Sequence, residues 1–194
     1  RFTIGASPIV ECPTLVVVDG HALDIGGFQR WAMGDLAGNR NRGIFAEWLV
    51  AQALGVIRDG DVRQEWEAVD LRFGDLAVEV KASGSSQTWS GGGSSTPRFR
   101  IPRQKHAWFA DMDEMIPYDP PRRTADVYVF CLHQSVPVTN ENVADPRCWS
   151  FWVVATSAID EELEGQASVG ISTLNQLAEP IGWSDVKAAV ERVA

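Results

Sequence analysis

The stretch Trp66–Lys81, WEAVDLRFGDLAVEVK, decides the fold. Two runs of alternating residues flank Gly74-Asp75, and Gly at the first central position suits a two-residue type II′ hairpin turn. With those two residues as the turn, Phe73 faces Leu76, Asp70 lies opposite Glu79, and Ala68 lies opposite Lys81. Side chains alternate faces along a strand, so Asp70, Glu79 and Lys81 share one face. Val69, Leu71, Phe73, Leu76, Val78 and Val80 share the other. That second face is apolar throughout and predicts a core.

The polar face is costly as it stands. Two directly opposed carboxylates at ~5 Å and an effective dielectric of ~20 repel by roughly 3 kcal/mol. A cation between them reverses that sign, and hard oxygen ligands suit Mg²⁺, with Mn²⁺ as its substitute. Lys81 adds a positive charge beside the same spot. The plainer alternative is a solvated hairpin face on which Lys81 neutralises Glu79. It leaves unexplained why two acids face each other.

Upstream, Asn41 is a good N-cap for a helix running to about Leu54, with Gly55 at its C-terminal stop. Apart from Glu47 and Gln52, Ile44–Leu54 is apolar on every side, which predicts a buried helix. Glu47 is then a carboxylate in a dry setting, where it needs a partner or will neutralise. Arg40 or Arg42 could serve, as could a metal cluster built on the hairpin acids. Val56–Gln64 is a turn-rich connector between helix and hairpin.

Downstream, Ala82–Thr96 has ten Gly or Ser among fifteen residues. Such a stretch is a flexible loop, without the Gly-Lys-Ser/Thr ending of a phosphate-binding P-loop. Its start places Ser83 and Gln87 where they could support the site or touch phosphate. PRFRIPRQKH then supplies Arg98, Arg100, Arg103 and Lys105 with no intervening acid. Phe99 and Ile101 alternate with Arg98 and Arg100, so a strand points both arginines to one side. Either this is the solvated face of an edge strand, or it is a phosphate clamp of the kind that holds a nucleic-acid backbone.

The hairpin resembles the PD-(D/E)XK nuclease superfamily, whose signature is an acid on one strand and Glu/Asp-X-Lys on the next. Asp70 and Glu79-Val80-Lys81 match it over a region of about Asn41–Leu132, while Val69 stands where the family has Pro. The resemblance implies that Asp70 and Glu79 hold Mg²⁺ with the Val80 carbonyl as a further ligand. It also implies that Lys81 orients or deprotonates the attacking water. Many members carry a Glu on the preceding helix, the place Glu47 occupies, as a third ligand or water-positioning base. The implied function is hydrolysis of phosphodiester bonds in DNA, with RNA open as an alternative substrate. A nuclease-like fold used only for binding or assembly is the rival.

The rest of the chain frames this. Its 194 residues suit one domain with 45% hydrophobic and 22% charged residues. The expected architecture is α/β: a restriction-endonuclease-like mixed sheet built on the central hairpin and flanked by helices. Residues 1–40 are an N-terminal elaboration, 41–155 the core, and 156–194 closing helices. Pro13–Asp19 predicts a buried strand, and Phe28, Trp31 and Met33 a short helix or lid. Asp111–Pro121 predicts an acidic surface loop, Ala125–Leu132 a central strand, Gln134–Arg147 a loop, and Cys148–Ala155 a further strand. Ser157 with Asp160 resembles a capping box, Ser172 caps Thr173–Ala178, and Ser184 caps a last helix with Val186, Ala189, Val190 and Val193 on one face. The eight tryptophans read as packing.

The net charge of −9 argues against a generic polyanion binder, but the tail from Ser157 supplies −5 of it. Cys12, Cys131 and Cys148 are widely spaced, as in a reducing, cytoplasmic protein, and no Cys or His pair has zinc spacing. No apolar run reaches the ~20 residues of a membrane span, and no signal peptide opens the chain, although Arg1 leaves the natural start open. A homodimer is the simplest way for such an enzyme to cut both strands of DNA.

Overall fold

The protein is described by a computed structural model at residues 15–65, 67–88, 94, 96–109 and 112–193. Cys12, the first two residues of the Pro13–Asp19 strand, Trp66, much of the Gly/Ser stretch and Asp111 lie outside the described residues. In chain order the strands are β1 (Leu15–Val18), β2 (His21–Asp24), β3 (Leu71–Phe73), β4 (Leu76–Gly84), β5 (Arg98–Arg100), β6 (Gln104–Phe109), β7 (Glu114–Arg122), β8 (Val127–His133), β9 (Trp149–Ala155) and β10 (Ser168–Gly170). The α-helices are α1 (Ile25–Met33), α2 (Asn39–Leu54), α3 (Asn140–Val143), α4 (Thr156–Glu162), α5 (Ile171–Leu177) and α6 (Val186–Val193).

The fold is mixed α/β around a four-stranded sheet of order β3-β4-β8-β9. The β3–β4 hairpin has the register its sequence predicts, pairing Phe73 with Leu76 and Leu71 with Val78. Gly74 sits at φ 61°, which costs a residue without Cβ little. β4 then runs parallel to β8, with Val78 beside Val127 and Gly84 beside His133, and β9 closes antiparallel on β8. Every residue of β8 is buried, as its unbroken apolar run requires.

Both faces of this sheet are core, which the hairpin alone does not reveal. On one face Val78 and Val80 pack with Leu49, Val50 and Leu54 of α2 and with Val186 and Val190 of α6. On the other, Ala77, Tyr128 and Phe130 are covered by Phe99, Ile101, Val169, Ile159 and Leu174. Fully burying side chains such as Phe99 and Ile101 contributes about 1.5–3 kcal/mol each. Glu79 lies on this second face, but Asp70 is not paired opposite it as expected, because the ladder ends at Leu71–Val78. The face bearing Glu79 is therefore not a solvated one.

Several expectations need correction. Val69 joins the second core, not the face of Leu71 and Val78, because the ladder stops at Leu71 and the chain bends over residues 68–70. Ala68 packs on Ala107 and Tyr118, away from Lys81. The strand at residues 15–18 is not buried: it forms an exposed hairpin with β2. α2 starts behind Gly38, and Asn41 lies inside it, its amide donating to the Ala32 and Asp35 carbonyls. Trp48 is exposed, so α2 is not apolar contact all round.

β4 continues through Ala82–Gly84, where a loop was expected. Residues 114–121 belong to strand β7, not to a loop. Its prolines are tolerated because β7 pairs only with β6 and needs no donors on its outer edge. The loop expected at 134–147 contains α3, whose Thr139 and Asn142 form a reciprocal capping box. Ser157, Ser172 and Ser184 lie inside helical turns and cap none of them; Ala155, Gly170 and Gly182 hold the N-cap positions. Trp149 and Trp152 are core, whereas Trp31 is exposed on α1. Among the described residues no helix is long and apolar enough to cross a membrane.

Candidate active site

The candidate residues gather where β4 outruns its hairpin partner. β3 pairs with β4 only as far as Val78. Backbone groups alternate sides along a strand: the Ala77 carbonyl faces β8, where Asp126 N–H reaches it, so the groups of Val78, Val80 and Ala82 face the β3 side. At Val80 the next ladder bond is made by a side chain instead of a strand. Asp70 Oδ2 accepts the Val80 N–H at 2.7 Å. The bend at 68–70 thus turns the Asp70 carboxylate into the edge of the sheet.

Glu79 and Lys81 point to one face of β4 and form an ion pair with each other. Glu79 is buried, and its carboxyl is held above the usual range first by burial and then by the Asp70 charge, with Lys81 opposing. Glu47 approaches from α2 on the other side. Burial raises its pKa too; the hydrogen bond from Arg63 opposes that shift, and the Asp70 charge adds to it. Its partner is Arg63, neither of the arginines that the sequence offered beside a metal cluster, Arg40 and Arg42; Arg63 Nη2 lies 3.0 Å from Glu47 Oε1. Glu47, Asp70, Glu79 and Lys81 therefore sense one another across the edge of one strand.

A cleft of about 330 Å³ opens at this edge, lined by Asn39, Arg42, Gly43 and Glu47 of α2, by Val80, Ala82 and Ser83 of β4, and by Gln87 and Arg98. It brings together Glu47, Val80, Ser83, Gln87 and Arg98, all candidates from sequence. The basic run divides. Arg98 and Arg100 flank buried Phe99 on β5, as alternation predicts, and Arg98 Nη2 donates to Ser168 Oγ at 2.9 Å. Arg103 turns away to an ion pair with Asp160, and Lys105 is exposed on β6. A neighbouring cleft of about 380 Å³ on Ser168 and Ile171 has, among the described residues, Arg98 as its only ionisable lining residue.

Among the described residues no three acid, His or Cys side chains converge as a metal-binding group. Mg²⁺ is commonly held by one or two carboxylates plus water, and Asp70 and Glu79 are such a pair. Their type fits a hard dication. Their present partners, the Val80 N–H and Lys81, each take one carboxylate oxygen, Asp70 Oδ2 and Glu79 Oε1.

Arg42 is the residue that sequence reading missed as a site member. The signal was present: positions 42, 46, 49 and 50 fall on one helical stripe, and all four are buried. An arginine on that stripe cannot be a surface charge.

Compared with family models, with curated proteins and with solved structures, the chain matches none.

Proposed function

We propose that the protein is a metal-dependent phosphodiesterase that cleaves DNA, of the PD-(D/E)XK kind. The observation that carries this reading is geometric: Asp70 on the Val80 N–H and the Glu79–Lys81 pair meet where β4 outruns β3, and Glu47 lines the cleft at that edge. Buried acids held above their usual pKa are costly to fold, and such cost is typical of functional sites. Here the excess negative charge lies beside a cleft that also presents Arg98.

A bound Mg²⁺ would supply Lewis-acid stabilisation of the phosphoryl oxygens and an acidified water. Asp70 and Glu79, with the Val80 carbonyl, are the groups that would hold it. Lys81, which pairs with Glu79, would stabilise the negative charge that develops on the phosphoryl oxygens. Glu47, fixed by Arg63, would orient the attacking water by accepting its proton in a hydrogen bond at Oε1 or Oε2. Arg98 and Arg100 would hold the backbone of the nucleic acid.

One observation favours the rival, a non-catalytic nucleic-acid-binding module: each carboxylate already has a protein partner. Degradation of plasmid DNA in Mg²⁺, Mn²⁺ and EDTA separates the two. The enzyme reading expects metal-dependent nicking or linearisation abolished by EDTA. Binding without any cleavage of DNA or RNA supports the module.

A further inference from the structure

We infer that Arg42 is an anion receptor and that, with Arg98, it binds one phosphate of the nucleic-acid backbone in the cleft beside β4. The inference rests on the phosphodiesterase reading only for the identity of the phosphate's bearer. Arg42 is 3% exposed, and it still lines the cleft. Its acceptors are all neutral: Asn39 Oδ1 at 2.5 Å, Gln87 Oε1 at 2.9 Å and the Ser86 carbonyl at 3.2 Å. Among the described residues it forms no ion pair. The stretch 82–96, which includes its partners Ser86 and Gln87, contains no acidic residue.

A buried charge normally has a counter-charge, because desolvation without one is expensive. Burial lowers the pKa of Arg42, but a guanidinium stays protonated at any physiological pH. The molecule therefore keeps a fixed, desolvated cation at the wall of a cleft and, among the described residues, pairs it with no anion. A guanidinium has five N–H donors, and the three bonds above leave two for a ligand. The backbone is shaped around this group. A Cβ on Gly84 would stand 3.0 Å from Arg42 Cζ, so glycine at the end of β4 gives the guanidinium its seat. Ser86, whose carbonyl accepts from Arg42, is itself fully buried with a hydroxyl that has no partner among the described residues.

Arg98 comes to the same cleft from β5, across from α2. Two arginines lining one cleft suit a tetrahedral oxyanion, whose several oxygens can accept from both. Arg42 lies in the first turn of α2, where the helix dipole also favours negative charge. Glu47 lines the cleft one and a half turns along the same helix, so a phosphate seated at Arg42 would present its neighbour to the acids. A single flanking phosphate is thereby used to place the scissile one.

The test is calorimetric titration of the whole chain with inorganic phosphate in EDTA, where no cleavage can occur. The expected result is saturable binding at one site. Arg98→Ala and Arg42→Lys should each weaken it about tenfold or more, the second because an ammonium lacks the planar fork. Gly84→Ala should weaken it with every charge retained. Arg98 lies on an exposed strand position, so its variant decides the matter even if Arg42→Lys fails to fold. Short duplex DNA should displace phosphate, and undisturbed phosphate binding in its presence would overturn the assignment to a nucleic-acid backbone. No saturable phosphate binding by the wild type, or unchanged binding in Arg98→Ala, would overturn the receptor itself. Phosphate binding without any nuclease activity would sink the enzyme reading and leave the receptor standing. Nuclease activity without phosphate binding would do the reverse.

Discussion

Two buried arginines, Arg123 and Arg42, lie on opposite sides of the sheet and are treated in opposite ways. Arg123 pairs with the Asp160 carboxylate and donates to the Ile101 and Gln166 carbonyls. It stitches α4 to the strands that cover the second core. Arg42 receives only neutral acceptors and faces a cleft. A cation that serves the fold is neutralised from within, while one that serves a ligand is left for the ligand to neutralise.

The largest effect that could break this comparison is on stability. Arg123→Met should cost about 2–3 kcal/mol in denaturant unfolding, because it leaves the Ile101 and Gln166 carbonyls without their donor while Asp160 keeps Arg103. Arg42→Met should cost no more than about 1 kcal/mol, since the lost hydrogen bonds are partly offset by removal of an uncompensated buried charge. If Arg42→Met proves the more damaging of the two, Arg42 is a structural residue.

Next come the acids. Asp70→Asn keeps an acceptor for the Val80 N–H and removes a charge that both Glu47 and Glu79 feel. Without metal, its melting temperature should rise by ~2–4 °C for each kcal/mol of repulsion relieved, with loss of Mg²⁺ binding. A lower melting temperature with unchanged metal affinity would make Asp70 an ordinary link between hairpin strands.

The pH dependence has a defined sign. Glu47 and Glu79 have folded pKa values above the ordinary 4.5. Between that value and their raised ones the native state holds more protons than the unfolded chain, so these two groups make stability fall as pH rises. Thermal melts of wild type and Glu79→Gln across that window should show a shallower fall in the variant. Added Mg²⁺ should release protons in an unbuffered titration. Equal slopes in the two proteins would mean that Glu79 titrates normally.

The smallest effect belongs to Arg103. Asp160 retains Arg123 when Arg103 is removed, and exposed pairs are worth ~0–1 kcal/mol. Arg103→Ala should change DNA affinity less than Arg98→Ala in the same filter-binding series. The converse ranking would restore Arg103 to the phosphate clamp.

What the sequence revealed and concealed follows the range of the interactions. The register of Leu71–Phe73 on Leu76–Val78 was legible because turn chemistry and period-two alternation are local. So was the central place of β8, whose apolar run admits solvent on neither face. The second core was hidden because Phe99, Val169 and Leu174 reach Ala77 and Phe130 only through the tertiary fold. Asp160 looked like part of a cap three residues after Ser157, but the buried guanidinium of Arg123, just past β7, claims it. β7 looked like a loop because its prolines hide a strand that needs few donors. Glu47 was correctly expected to have a partner, and the wrong arginine was chosen because Arg63 sits in a connector whose path no pattern predicts.

The most direct test of the central claim is single-turnover cleavage of duplex DNA, beside equilibrium binding, for wild type and Lys81→Ala. The folded state of each is checked by melting, because Lys81 pairs with buried Glu79. Phosphodiester hydrolysis at the edge of β4 predicts Mg²⁺-dependent cleavage by the wild type. In Lys81→Ala the turnover rate should collapse while affinity weakens only by about one phosphate contact. Cleavage that survives Lys81→Ala intact would place the active site elsewhere, and no cleavage of DNA or RNA with Mg²⁺ or Mn²⁺ would contradict the account outright.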